Sequence, residues 1–504
     1  MTLAADVAAK VGPPGLNPGA THPSPASPGD YPRPVEQPSA TRPRPRSGDE
    51  LTVTVDALAF GGAGVARLDG YVVFVQGAIP GDTVRAVVRK SKRAYAEAQV
   101  LEVLAPSPER IDPIAPHPGA PWQVLPYERQ LEVKQAQVDE ALRRIGKLDE
   151  FVLEPIVPAV EQWRYRNKLE YSFGADPEGR LICGFHAPGR WEEIVEISDC
   201  LLASEAGNRA REEVVGWCRE QALAPYDRRS GTGFLRNLVV REGRRTGELQ
   251  VRLVTSRGTS SGGPTLAATW PPKSPLMDRD SLTAAAASAD GLLWTRLDSV
   301  AETTSGGETE LLAGSDRLRE ELGGLSVRIS GEAFFQTNTE MAERLYALAV
   351  EYAELTGFER IYDLYCGIGT IGLLMAPRAA ELWGLEIIEE AIADAIENAR
   401  TNEIDNARFF AGDVRLALRE LVAQAGRPDV LVVDPPRAGL SQKVVRRMIE
   451  AAPRRVVYVS CNPTTLAPNA AQLVEAGYRL TKVRPVDMFP QTPHVECVAQ
   501  LVRG

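Results

Sequence analysis

Cysteine and histidine are scarce, at six and four among 504 residues. Six cysteines are too few for a disulfide framework in a chain of this length, so a reducing cytoplasm is the expected setting. No histidine stands in ligand spacing with a cysteine, so no zinc site is expected. No apolar run reaches the about 18 residues needed to cross a bilayer. The opening MTLAADVAAKVGPPG has no basic start followed by an apolar stretch. Neither a membrane span nor a secretory signal is expected. Positive charge is not in excess: 57 Lys and Arg face 67 Asp and Glu, for a net charge of −10. That excludes a protein coated in basic charge but permits local basic patches. The chain is 44% hydrophobic, ordinary for a globular protein. Its length suggests about three domains, and nothing in it demands more than a monomer.

Composition divides the chain. Residues 1–46 are dense in Pro, Ser, Ala, Gly and Thr and bury too little to offset chain entropy, so they read as a disordered tail. Residues 47–107 hold several short alternating strands separated by glycine and Pro-Gly turns, the pattern of a small β-barrel. Arg85, Arg89, Lys90, Lys92 and Arg93 lie there, either as a charge-guarded strand edge or as a phosphate-contacting face. Residues 108–330 read as a mixed α+β central domain with a helix over 124–146 and a long loop or insertion near 255–290. From 331 to 504 strands and helices alternate, which predicts an α/β, doubly wound, Rossmann-like sheet.

Three motifs in that last part carry chemistry. In DLYCGIGT a hydrophobic strand ends at Asp363, and Gly367 and Gly369 allow close backbone approach before a helix. Glu386 ends the next strand, where a carboxylate suits the hydroxyls of a ribose, and Asp413 ends a third. The turn is GxG and not GxGxxG, so a pyrophosphate fits poorly and S-adenosylmethionine fits better than NAD. In DPPRAGL the Pro-Pro pair stops a strand and leaves Asp434 and Arg437 on a rigid rim. In SCNP, Cys461 follows an apolar strand at the mouth of the same cleft. A lone cysteine is most often a structural thiol. Beside a methyl donor, Asp434 and Arg437, a thiolate suits addition to a pyrimidine. Attack at C6 makes C5 nucleophilic enough to take a methyl group. A base must then remove the C5 proton. Glu496 is the candidate, with His494 weaker.

The combination FFQTN, DLYCGIGT, GLE, DPPRAGL, VSCNP and HVE, over about residues 48–504, resembles the RNA uracil-5-methyltransferases. The barrel resembles a TRAM domain, an RNA-binding module. The resemblance implies cofactor contacts at Gln336, Tyr365, Thr370, Glu386, Asp413 and Asp434, with Cys461 as nucleophile and Glu496 as general base. Gln336 and Tyr365 rest on the resemblance alone. Many members hold a [4Fe-4S] cluster on three cysteines after the barrel and a fourth further on. Here APHPGAPWQVLPYERQL has none and Cys200 stands alone, so no cluster is expected.

The expected partner is RNA, with no DNA and no membrane. A uracil must leave its stack to reach Cys461. Arginine-rich central strands (Arg164, Arg166, Lys168, Arg236, Arg241, Arg244, Arg245) and Arg437 are candidates for its path. The large-subunit (23S) ribosomal RNA is the expected substrate, because bacterial transfer-RNA members often lack the barrel. Transfer RNA is the rival. Cytosine-5 methylation would expect the nucleophile after a proline in the DPPR strand motif, and N-methylation an aromatic where Arg437 stands. An RNA-binding protein with an idle catalytic domain is the non-enzyme alternative, against which Cys461, Glu496 and the pocket acids count.

Overall fold

The computed structural model describes residues 44–256, 279–299 and 303–504. The tail read over 1–46 and the insertion read over 255–290 therefore fall largely outside the described residues. The chain forms two compact units, divided after Ile111.

The first unit is a closed five-stranded barrel. Its strands are β1 (Glu50–Leu58), β2 (Gly64–Leu68), β3 (Tyr71–Gln76), β4 (Thr83–Ser91) and β5 (Tyr95–Ala105), in the order β1-β2-β3-β5-β4. Alternation drives it: Val53, Val55, Val73, Val75, Val84 and Val88 turn inward and fill the interior. Asp82 locks the last turn. Its buried carboxylate accepts from the Ile79 and Ser107 amides at 2.8 and 2.9 Å and from Arg110 at 2.6 Å.

The second unit opens with α1 (Tyr127–Glu140), prolonged by a π-helical turn over Ala141–Ile145, and β6 (Val152–Leu153). A seven-stranded sheet follows. It uses β7 (Lys168–Ala175), β8 (Leu181–Ala187), β9 (Arg190–Glu196), β10 (Leu235–Glu242), β11 (Leu249–Ser256), β12 (Gly291–Leu297) and β13 (Glu308–Gly314). Their order is β13-β12-β11-β10-β7-β8-β9, and α2 (Glu205–Glu220) and α3 (Arg279–Ala285) accompany them. Helix α3 lies inside the span read as a long loop. The hairpin β14 (Arg317–Leu322) and β15 (Leu325–Ser330) leads to α4 (Thr339–Ala353).

The remaining chain is the doubly wound sheet. It runs β16 (Arg360–Leu364), α5 (Thr370–Met375), β17 (Glu381–Glu386), α6 (Glu389–Thr401), β18 (Ala407–Ala411) and α7 (Val414–Ala425). Then come β19 (Val430–Val433), α8 (Gln442–Ala451), β20 (Arg455–Ser460), α9 (Pro463–Glu475), β21 (Tyr478–Val486) and β22 (Glu496–Arg503). Strand order is β18-β17-β16-β19-β20-β22-β21-β6. The five strands β16 to β20 are parallel, so their carboxyl ends share one edge, and β22 returns antiparallel. Runs such as Val430–Val433 are buried on both faces, as a parallel sheet requires.

Segment 127–153, assigned by sequence to the central domain, joins this sheet: β6 pairs with β21, and α1 with its π-turn packs against α9. Helix α1 also clamps the segment that feeds β22. The Lys134 ammonium meets the Asp487 carboxylate at 2.5 Å with both side chains fully buried, and it donates to the Phe489 carbonyl at 3.1 Å. The Tyr127 hydroxyl donates to Asp487 at 2.8 Å. The Gln130 side chain accepts from the Gln491 amide and donates to its side chain. Removing one partner of a buried pair strands a charge, so Lys134→Ala is expected to lower unfolding free energy by about 3–5 kcal/mol in urea titration. The double change Lys134→Met with Asp487→Leu should lose less than either single change. Losses that simply add would show that the pair is not coupled.

Candidate active site

The strand ends build the site. After β16 the chain turns through Tyr365, Gly367 and Gly369, all at positive φ (62°, 54° and 86°), before α5 begins at Thr370. A side chain at Gly369 would meet the Phe409 ring at 3.1 Å, so the turn packs only with glycine there. The amides of Tyr365 and Cys366 both donate to the Leu385 carbonyl. This ties the turn to the end of β17, where Glu386 sits. One Glu386 oxygen accepts from the Ile387 and Ile388 amides at 2.8 and 3.1 Å, and the other only a long bond from Gly367 at 3.3 Å. A carboxylate has about four acceptor sites. Glu386 therefore keeps capacity on the turn side.

Asp363 is buried beneath the turn. It accepts from the Gly372 amide at 3.0 Å, while its other oxygen has no partner among the described residues. Burial, helped by Asp434 and Glu386, pushes its carboxyl up to about 8. Asp434 follows β19, its amide bonded to the Leu364 carbonyl, and its carboxylate has no protein partner among the described residues. Burial pushes it up to about 7. Asp413 differs. It caps α7 by accepting from the Arg415 amide, and the Arg415 guanidinium holds it below the usual carboxylate range.

Cys461 and Glu496 come together through register. Ser460 pairs with Cys497 in the antiparallel β20–β22 ladder, so the next residue along β20 faces the preceding one on β22. Cys461 is half-buried. Burial, then the Glu496 and Asp434 carboxylates, push its thiol up to about 12, and Arg437 acts in the opposite sense. Glu496 is buried with one oxygen unpartnered among the described residues. Burial and then Asp434 raise it well above the usual range. The rim loop after Asp434 is pinned from α9: Asn462 donates to the Arg437 carbonyl at 3.1 Å, and Asn469 exchanges hydrogen bonds with the Leu440 backbone.

Gln336 is buried just before α4. The Asn167 side chain donates to its carbonyl at 2.9 Å, and its own amide group has no partner among the described residues. Sequence reasoning missed Tyr346 on α4. Its phenol is buried beside Asp434, Thr370, Glu496 and Asp363. Inward residues of a helix carry no sequence mark separating core from pocket. His494 is held near 4 by burial and by Arg437, Arg166 and Lys134. It is neutral at physiological pH.

The basic candidates divide. Arg166 lies 5.8 Å from the centre of the Phe489 ring, in reach of the site. Lys168 pairs with Glu170 at 2.6 Å. Arg241 is 3% exposed and donates to the Ser330 and Ala333 carbonyls, and Arg244 and Arg245 face Glu340 and Glu343. Arg241 thus braces the interior and Arg244 is half-buried, whereas Arg245 is exposed but held in its ion pair. On the barrel, Lys90 pairs with Glu97, whereas Arg89, Lys92 and Arg93 are exposed without ion pairs among the described residues. Cys200 is fully buried, its sulfur 3.4 Å from His117 Nε2.

Residues 315–503 match the family model for tRNA (uracil-5-)-methyltransferase, and residues 45–101 match the TRAM domain model. The chain is 38% identical to an uncharacterized RNA methyltransferase of Halalkalibacterium halodurans, covering 90% of this chain and 97% of that one. It is also 38% identical to one of Bacteroides thetaiotaomicron, over 88% and 99%. The solved tRNA (uracil-54, C5)-methyltransferase of Pyrococcus abyssi, in complex with S-adenosyl-L-homocysteine, superposes with a TM-score of 0.67 at 29% identity, over 90% of this chain and all of that one.

A carboxyl with a raised folded-state pKa adds stability below its unfolded value of about 4. That stability is lost as pH rises through the folded value. For Asp363 the window runs from its ordinary value of 3.8 to about 8. The urea midpoint is expected to fall across it, and Asp363→Asn should flatten the fall. An equally steep fall in the variant would remove Asp363 as the cause.

Proposed function

Because the chain belongs to the RNA (uracil-5-)-methyltransferase family, we propose that it moves a methyl group from S-adenosylmethionine to C5 of a uridine in 23S ribosomal RNA. The observation that carries the chemistry is the register that sets Cys461 against Glu496, with Asp434 beside both. The residues fit the cofactor. Among the described residues Asp434 has no hydrogen-bond partner for its carboxylate and suits a cationic group, Glu386 has acceptor capacity for a ribose diol, and the Gln336 amide is unengaged. Gln336, Tyr365, Thr370, Glu386, Asp413 and Asp434 would hold S-adenosylmethionine, which supplies an electrophilic methyl group when bound.

The Cys461 thiol rests protonated. It gives its proton to the Asp434 carboxylate as sulfur bonds to C6, and the ring's π pair moves to C5 and O4. Arg437 favours the thiolate. Once C5 is methylated, Glu496, which acts in its ionised form, removes the C5 proton, the C5–C6 double bond re-forms, and the C6–S bond breaks as Asp434 returns the proton to sulfur. The barrel, through Arg89, Lys92 and Arg93, and the cleft rim, through Arg166 and Arg437, meet the RNA backbone. Lys90 and Lys168 add charge only if their carboxylate partners release them. The TRAM barrel favours ribosomal RNA. The likeness to a tRNA (uracil-54, C5)-methyltransferase favours transfer RNA as the second reading.

Wild-type protein incubated with S-adenosylmethionine and unmodified ribosomal RNA should yield 5-methyluridine by mass spectrometry of the digest. Product only in transfer RNA would change the substrate, and product in neither would end the reading. With 5-fluorouridine RNA a covalent adduct should form and disappear in Cys461→Ala. Glu496→Gln should keep the adduct while turnover drops by roughly 10²–10⁴-fold. An adduct surviving in Cys461→Ala would relocate the nucleophile. RNA affinity should fall by roughly 10³ or more between 50 and 200 mM salt for six to ten phosphate contacts. A flat response would remove these basic groups from the interface.

A further inference from the structure

A second cleft opens on the central sheet, lined by none of the residues of the candidate active site. Its volume is about 420 Å³, in the range of small-ligand sites. Ser172 of β7, His186 of β8 and Arg236 and Asn237 of β10 line it, together with Tyr226 from the preceding loop. Its floor is polar although buried: Ser172, Arg236 and Asn237 are 8%, 7% and 7% exposed. A sheet face that served only packing would carry apolar side chains here and close over them.

Two features define what fits. The first is a stacking platform. The Arg236 guanidinium lies 4.9 Å from the centre of the Tyr226 ring and is anchored on the Ser299 carbonyl. The Tyr226 amide is fixed to the Leu235 carbonyl at 2.7 Å. A ring held this way offers a planar base a surface without further ordering. The second is a readout group. Asn237 donates one N–H to Ser172 at 3.2 Å, and Ser172 is in turn 3.0 Å from His186. That chain fixes the amide. It leaves one N–H and the carbonyl oxygen of Asn237 without partners among the described residues. An adjacent donor and acceptor match the amino group and ring nitrogen of adenine. Uracil shows a matching acceptor and donor at O4 and N3–H, so the choice between the two bases falls to stacking, which is stronger for the larger purine.

The cleft shares a strand with the reaction site. Asn167, just before β7, holds the Gln336 carbonyl. Ser172 lies roughly 17 Å further along at about 3.4 Å per residue. A short single strand spans that distance. We propose that this cleft takes an adenine of the substrate RNA near the target uridine, stacked on Tyr226 and hydrogen-bonded by Asn237, and so helps select the site of methylation. The proposal rests on the reading that the substrate is RNA.

The test uses the full chain and labelled oligoadenylate and oligouridylate of equal length, with affinity read by fluorescence anisotropy. Oligoadenylate should bind more tightly. Tyr226→Ala should weaken it roughly 5- to 150-fold, the range for losing one base–aromatic stack. Tyr226→Phe should bind as the wild type does, and Asn237→Ala should weaken both oligomers while the preference for adenine remains. Equal binding of the two oligomers by the wild type, or unchanged binding in Tyr226→Ala, overturns the proposal. The 5-fluorouridine adduct is measured in parallel. Adduct formation with no role for Tyr226 defeats the cleft and spares the uridine chemistry. Adenine binding through Tyr226 with no adduct on any RNA defeats the uridine chemistry and spares the cleft as a base site.

Discussion

One antiparallel pairing organises the reaction site. In a parallel sheet the strands all finish at the same edge, so residues just past them share a cleft. Asp363, Glu386, Asp434 and Cys461 reach the cleft in that way. A group on the opposite side of Cys461 needs a strand that starts where the others stop. Strand β22 does this, and its pairing with β20 sets its first residue, Glu496, against Cys461. Everything that fixes β22 therefore fixes the spacing of thiol and carboxyl. That explains why so much buried polar structure converges on segment 487–494, with Lys134, Gln130 and Tyr127 of α1 all holding its backbone or its one buried aspartate.

The second constraint is electrostatic. Three acidic side chains, Asp363, Asp434 and Glu496, crowd a space with little water, and each is raised by burial first and in two cases by its neighbours. Such a group is poorly satisfied by itself. It gains most from a cation placed among it, which is the charge carried by a sulfonium donor. Asp413, already matched by Arg415, sits outside this shortage. The pocket is thus two unlike halves: a hydrogen-bonded one around Glu386 and the glycine turn, and an under-compensated one around Asp434.

Much of this was legible in the sequence. Apolar runs stopped by an acid or by Pro-Pro mark strand ends, and strand ends mark the cleft, so Glu386, Asp413, Asp434 and Cys461 were readable as neighbours. Other features left no local trace. Strand β6 is two residues long, too short for any period, so the allegiance of 127–153 to the C-terminal sheet was invisible. Arg241 of β10 was a candidate for the RNA path, yet it is buried, because backbone carbonyls of 330 and 333 lie there to receive it. His117 and Cys200 meet across 83 residues of chain, which no spacing rule detects. Alternation states which residues share a face. It does not state whether that face meets water.

The thiol of Cys461 has a bearing on survival in an oxidising episode. Peroxides and alkylating agents attack thiolates, and a thiol held near 12 offers almost none at neutral pH. The half-open sulfur is therefore chemically quiet while the protein waits, and becomes nucleophilic only in the act of transferring its proton to a neighbour. Burial first, and then the neighbouring carboxylates, thus shield the residue from wasteful modification.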